Sequence, residues 1–310
     1  MRFIHFLALG FFLGNISCTI FRGGYRHSKA AISPDFMVIG HRGEAGNLPE
    51  NSIWGFLSAV EKGVDALEMD VVISADKKVV VSHEPFMASH YVLDPDGEAI
   101  PQKKESETNF YEMKYETIKK FESGLKENRD FPKQKKISSY KPLLEEVIDR
   151  VEELTSEKGL KPVTYMIEIK SSSANYNRSQ PEPTEFARLV MKVIENKGIA
   201  HRSIIKSFDP VLLNRMHELY PQVKISYLVS KKGIRKNLSR LNFTPEYYSP
   251  RHKLVVNRSF VDSVKAMNMK LLPWTVNRKR KIRRLLELGV DGIITDYPER
   301  ALELRGKLVE

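Results

Sequence analysis

The chain has 310 residues, with 50 Lys plus Arg against 39 Asp plus Glu, a formal net charge of +11 and 41% hydrophobic residues. That balance excludes a disordered chain, a collagen and a polytopic membrane protein, and the length suits one large α/β domain or two ordinary ones. One cysteine, Cys18, leaves no intrachain disulfide and no zinc-finger spacing.

Met1-Arg2 gives a short positive start, and Phe3 to Leu13 is apolar apart from His5. The run is too short for a ~30 Å hydrocarbon core, which takes about 20 residues, so residues 1–17 read as an export signal. Cys18 directly after Ser17 resembles a bacterial lipoprotein box, in which the cysteine is acylated, although Asn15 stands where such boxes usually carry Leu. The expectation is an exported chain anchored to a membrane through Cys18, with a periplasmic or secreted form as the alternative. Residues 18–35 read as a tether.

From residue 36 short β-rich runs alternate with helical periodicity. Met37–Gly40 is an expected strand, Asn51 or Ser52 caps a helix that stops at Gly63, and Ala66–Ser74 and Val79–His83 are strands joined by Ala75–Lys78. Residues 86–137 are polar, irregular and too long for an ordinary connection, so they read as an inserted lobe. Helix Pro142–Glu153, strand Val163–Lys170, helix Glu185–Lys197, strand Arg202–Phe208, helix Val211–Tyr220 and strand Val223–Val229 follow. Residues 231–268 are less regular and end in a helix around Phe260–Met267. Strand Lys270–Val276, helix Lys279–Leu288 and strand Asp291–Thr295 close the series. About eight strands in βα units over 36–310 predict an α/β fold, a TIM (β/α)8 barrel with an inserted lobe after the third strand. The short turn before that third strand is irregular for the barrel, because no helix separates it from the second.

Polar residues fall where these strands end. The first runs into His41-Arg42, and the third ends in His83. Glu68 and Asp70 share one face of the second strand while Leu67, Met69 and Val71 share the other, and Glu168 and Lys170 share a face of the fourth. In a parallel barrel such ends converge on one rim. Three carboxylates meeting there would repel one another without a cation, and an all-oxygen set favours Mg2+ or Ca2+ over zinc. Arg42 and Lys170 beside them suit an anionic substrate, phosphate above all. Two histidines supply a general acid and a general base near neutral pH, so the set describes phosphoester hydrolysis.

These residues carry a resemblance to the glycerophosphodiester phosphodiesterase family. It rests on His41-Arg-Gly43, Pro49-Glu-Asn51-Ser52, Gly63 through Val71, Val80-Val-Ser-His83, Ile167-Glu168-Ile-Lys170, Ser207-Phe208-Asp209, Trp274-Thr-Val-Asn277 and Gly289 through Pro298, in family order. The resemblance implies a TIM barrel that splits glycerophosphodiesters into glycerol 3-phosphate and an alcohol. It implies His41 and His83 as catalytic residues, Glu68, Asp70 and Glu168 as ligands of a divalent cation, and Arg42 and Lys170 as phosphate contacts. Trp274 would line a glycerol pocket and donate its indole N–H to substrate, Ser207 and Phe208 would lie at the same rim, and Glu50 would be a further ligand or a partner behind the ligands. The metal would bind a phosphate oxygen and the glycerol hydroxyl, with attack either by that hydroxyl through a cyclic phosphate or by water. Glu84 follows His83 where the family commonly has Asp, and Arg278 follows Asn277 where an acid is usual.

Lys231-Lys232, Arg235-Lys236, Arg251 to Lys253 and Arg278 to Arg284 hold much of the positive excess. Removing residues 1–17 takes away only Arg2, so +11 falls to +10 and the excess belongs to the remaining chain. A solvated outer face or attraction to anionic lipid headgroups explains it, and no motif for nucleic acid is present. Rival readings are a related barrel phosphodiesterase for lysophospholipids or phosphoinositides, and a non-catalytic phosphodiester-binding protein.

Overall fold

The computed structural model describes residues 35–309, so the expected export signal, Cys18 and nearly all of the expected tether lie outside it. The strands are β1 (Met37–Gly40), β2 (Ala66–Ile73), β3 (Val79–Val81), β4 (Thr164–Ile169), β5 (Ser203–Ser207), β6 (Lys224–Val229), β7 (Tyr247–Pro250), β8 (Lys270–Leu271) and β9 (Gly292–Thr295). All but β3 run parallel, in the order β8-β7-β6-β5-β4-β2-β1-β9. The amide of Asp291 donates to Leu271 O at 3.0 Å and that of Ile294 to Pro273 O at 3.1 Å, which brings the two ends of the ladder together. The result is a nearly closed eight-stranded (β/α)8 barrel.

Two departures from the sequence expectation have simple causes. The turn over Ala75–Lys78 is too short for a parallel crossover, so β3 folds back antiparallel on β2, with Val71 opposite Val81, and stands off the barrel wall. Its place among the eight is taken by β7, a four-residue strand ending in Pro250 within the stretch that showed no clear pattern. The strand expected over Lys270–Val276 is regular only at Lys270–Leu271, because Pro273 has no amide to give the ladder.

Helices α1 (Ile53–Glu61), α2 (Tyr115–Ile118), α3 (Leu144–Glu157), α4 (Pro183–Asn196), α5 (Pro210–Leu219), α6 (Ile234–Leu238), α7 (Arg258–Lys265), α8 (Lys279–Leu288) and α9 (Pro298–Val309) complete the chain. The alternation along β2 is realised as read. Leu67, Met69 and Val71 pack outward in one cluster with Phe56, Val147 and Phe186, whereas Ala66 joins Ile39, Met166, Ile204, Leu272 and Ile294 in a separate apolar plug. Side chains sharing the Ala66 face of β2 lie on the same side as that plug, which puts Glu68 and Asp70 in a layer above it.

Residues 86–137 hold short 3-10 turns, isolated bridges and α2, around a cluster of Met87, Tyr91, Val92, Phe110, Tyr115, Ile118 and Phe121. Tyr91 and Phe110 are thus buried in a cluster that this segment shares with Val72 of β2 and Val80 of β3.

Candidate active site

The loop after β1 is shaped by close packing. A Cβ on Gly40 would lie 2.2 Å from Gly43 O, and one on Gly43, at φ +85°, would lie 2.6 Å from the Gly55 carbonyl carbon. Arg42 itself is left-handed at φ +50°, held by its amide on Glu68 Oε2 (3.1 Å) and by the Asn51 amide on its carbonyl (3.0 Å). This bend aims His41 into the barrel mouth. His41 Nδ1 lies 2.5 Å from Asp296 Oδ1, and Asn277 Nδ2 donates to the other Asp296 oxygen at 2.5 Å. His41 Nε2 faces Glu68 Oε2 at 3.9 Å. Burial depresses the His41 pKa, but Asp296 and Glu68 outweigh it and raise the value.

Glu68, Asp70 and Glu168 are buried, and ligand atoms of the three lie within 4.8 Å of one another. Strand register explains the convergence: Asp70 of β2 pairs with Glu168 of β4, which pairs with Lys206 of β5. Lys206 Nζ donates to Glu68 Oε1 at 2.8 Å, and Lys170 Nζ donates to Glu168 Oε1 at 2.7 Å and lies 3.6 Å from Asp70 Oδ1. Asn51 Nδ2 donates to Asp70 Oδ2 at 3.0 Å. Burial alone would raise the Asp70 pKa; Lys170 and Arg42 reverse this and hold it far below the usual carboxylate range. Burial likewise opposes charge on Lys170, yet Glu168 and Asp70 push its pKa up.

The residues fit a hard divalent cation. With Asp296 paired to His41, four buried carboxylates, those of Glu50, Glu68, Asp70 and Glu168, face the cations of Arg42, Lys170 and Lys206, an excess of one negative charge in a low-dielectric cup. An all-oxygen donor set within that spacing suits Mg2+ or Ca2+.

The remaining sequence candidates sort differently. Glu50 is outside the three-carboxylate cluster: both its oxygens accept from Arg42 Nη1, at 2.9 and 3.0 Å, while Arg42 Nε lies 3.2 Å from Asp70 Oδ2. His83 reaches the rim because β3 folds back, with the Ser82 amide on Asp70 O at 3.0 Å. Its Nδ1 lies 2.6 Å from Glu84 Oε1. Phe208, 38% exposed, meets Trp274 edge-on at 5.4 Å and 87°. The indole N–H of Trp274 is not free for substrate as expected, since it donates to Ser249 O at 2.7 Å. Ser207 is fully buried, its hydroxyl donating to Ile169 O and accepting from the Asp209 amide, so it braces the rim instead of facing substrate.

Sequence reasoning missed Lys206, Asp296 and Asn51 as partners of these groups. Lys206 had a signal: one lysine inside Ser203-Ile-Ile-Lys-Ser207, on the face of Ile204. Asp296 and Asn51 are joined to His41 and Asp70 by tertiary contacts over 255 and 19 positions, which no local pattern encodes.

Known proteins are similar to this chain in sequence and in fold. The model of the glycerophosphoryl diester phosphodiesterase family matches residues 41–300. A glycerophosphodiester phosphodiesterase of Caldanaerobacter subterraneus subsp. tengcongensis is 29% identical over 273 residues, covering 86% of this chain and 97% of its own. The lysophospholipase D GDPD1 of Rattus norvegicus is 24% identical over 283 residues, covering 86% and 84%. The solved structure of a Silicibacter pomeroyi DSS-3 protein, assigned as a glycerophosphoryl diester phosphodiesterase, is similar at a TM-score of 0.77 and 29% identity, covering 88% and 94%.

Proposed function

The chain belongs to the glycerophosphoryl diester phosphodiesterase family, and from that premise we propose that it hydrolyses glycerophosphodiesters to glycerol 3-phosphate and an alcohol. One observation carries the proposal: two carboxylate-held histidines stand at the same barrel mouth as a buried cluster of three carboxylates. His41 and His83 exchange the protons, one accepting from the attacking hydroxyl and the other donating to the leaving alcohol. Arg42 and Lys170 orient the phosphate, and the Phe208–Trp274 ledge packs the glycerol carbons. A divalent cation held by Glu68, Asp70 and Glu168, when bound, supplies charge neutralisation at the phosphate and acidifies a hydroxyl placed beside it.

A second reading, a lysophospholipid substrate, draws on the relative named as a lysophospholipase D and on an apolar cavity of about 320 Å3. Ile234, Tyr248, Leu254, Val256 and Phe260 line that cavity, with Lys231 and Lys232 beside them. A panel of deacylated glycerophosphodiesters and intact lysophospholipids, assayed with Mg2+ and with Ca2+ and read by product mass, tests both. Turnover of the deacylated substrates supports the main reading; release of headgroup alcohol only from acylated substrates replaces it with the second.

Export and anchoring through Cys18 complete the proposal. Export rests on the sequence of residues 1–18, and contact with an anionic membrane surface is supported by exposed cations at the loops after β6, β7 and β8, namely Lys231, Lys232, Arg251, Lys253 and Arg278, on the active-site end of the barrel. A Cys18→Ala variant recovered in the soluble fraction, against membrane-bound wild type, is the expected result of fractionating cells of the native host.

A further inference from the structure

Lys141 is a buried charge that none of these roles uses: its residue is 1% exposed. Burying an ammonium is expensive, so its surroundings need a reason. Lys141 Nζ donates to Tyr91 Oη at 3.0 Å and sits 4.6 Å from the centre of that ring. Tyr91, 3% exposed, donates to Glu84 Oε2 at 2.8 Å. Glu84 Oε1 in turn lies 2.6 Å from His83 Nδ1.

The direction of every bond in this row is fixed. Burial pushes the Glu84 pKa up, but His83, Lys141 and Tyr91 bring it down to about 2, so the carboxylate is ionised near neutral pH and only accepts. The Tyr91 hydrogen therefore goes to Glu84, and the lone pair left on Tyr91 takes an N–H of Lys141. The other Glu84 oxygen takes the Nδ1–H of His83, which leaves Nε2 as the nitrogen that reacts. The backbone is locked in the same way. The amide of Val81 donates to Pro142 O at 2.8 Å, Val80 bridges Leu143, and Tyr115 Oη donates to Lys141 O at 3.3 Å. Strand β3, which leads into His83, and the segment that carries Lys141 are thus held in one register.

We infer that Lys141, Tyr91 and Glu84 form a positioning chain that fixes the ring orientation and the Nδ1–H tautomer of His83, and through it the rate of proton transfer. The inference deepens the proposed function and rests on its assignment of His83. It also gives residues 86–137 a part in catalysis, since Tyr91 belongs to the apolar cluster that packs this segment on β2 and β3. Glu84 with its longer side chain spans to both His83 and Tyr91.

The test compares wild type with Tyr91→Phe, which keeps the ring, Lys141→Met, Glu84→Gln and His83→Ala, in kcat and KM on a glycerophosphodiester at saturating metal. Nitrogen-15 NMR of the His83 ring is read alongside. Tyr91→Phe is expected to lower kcat about tenfold or more with KM within about twofold, as loss of an outer partner of an active-site histidine does. The His83 nitrogens are expected to move from the Nδ1–H tautomer to a mixture. Wild-type kcat in Tyr91→Phe and Glu84→Gln while His83→Ala is inactive overturns the chain, as does a fall in kcat with the tautomer unchanged. Wild-type turnover by His83→Ala overturns instead the assignment of His83. If Lys141→Met does not fold, Tyr91→Phe carries the test alone.

Discussion

Each of the two histidines presents its Nδ1 to a carboxylate, Asp296 at 2.5 Å for His41 and Glu84 at 2.6 Å for His83. A carboxylate so placed selects the tautomer and stabilises the imidazolium that forms during proton transfer. Asp296→Asn is therefore expected to lower kcat by about 100-fold or more with little change in KM, and His41→Ala to lose at least as much, in steady-state assays. Glu84 adds a pH signature. Its pKa in the fold is about 2 against an ordinary 4.5, a depressed carboxylate, so the stability it contributes is fully present above pH 4.5 and is lost as pH falls toward 2. The gap in melting temperature between wild type and Glu84→Gln is expected to narrow across that window. A gap that stays constant or widens on acidification contradicts the assigned cause.

At the scale of elements, the site depends on the bend after β1 and on the hairpin that returns β3. Gly43→Ala sets a methyl against the Gly55 backbone at a left-handed φ, and is expected to cost on the order of 1–3 kcal/mol in denaturant unfolding and to lower turnover by moving Arg42. Much of this level was legible in the sequence. Period-2 alternation placed Glu68 and Asp70 opposite Leu67 and Met69, and the repeated βα units pointed to the barrel. What was not legible has physical reasons. Tyr247–Pro250 is four residues long and ends in proline, too short to show a period. The antiparallel sense of Val79–Val81 was signalled by its four-residue turn, which cannot carry a parallel crossover, yet β3 was counted among the barrel strands. Long-range partners became visible only once the fold brought Asp296 to His41 and Lys141 to Tyr91, the partner of Glu84.

For the whole molecule, charge is divided by location. The mouth of the barrel concentrates carboxylates beyond what its lysines and arginine offset, while cations lie exposed on the loops around it. Vesicles containing anionic lipid are expected to bind residues 36–310 with an affinity that falls at high salt, at ~1 kcal/mol per cation near the surface. Binding that is indifferent to salt contradicts an electrostatic face. By the proposed function, the carboxylate cluster holds the divalent ion on which hydrolysis depends. Mg2+ or Ca2+ at about 100 times its dissociation constant is expected to raise the unfolding free energy by about 2.7 kcal/mol, and Glu68→Gln to abolish that gain. The most direct measurement is turnover of glycerophosphocholine before chelation, after it, and after metal is restored. Full loss and full recovery, with glycerol 3-phosphate and choline as the products by mass, is the predicted result; undiminished turnover in the chelated enzyme, or products other than these, contradicts the account.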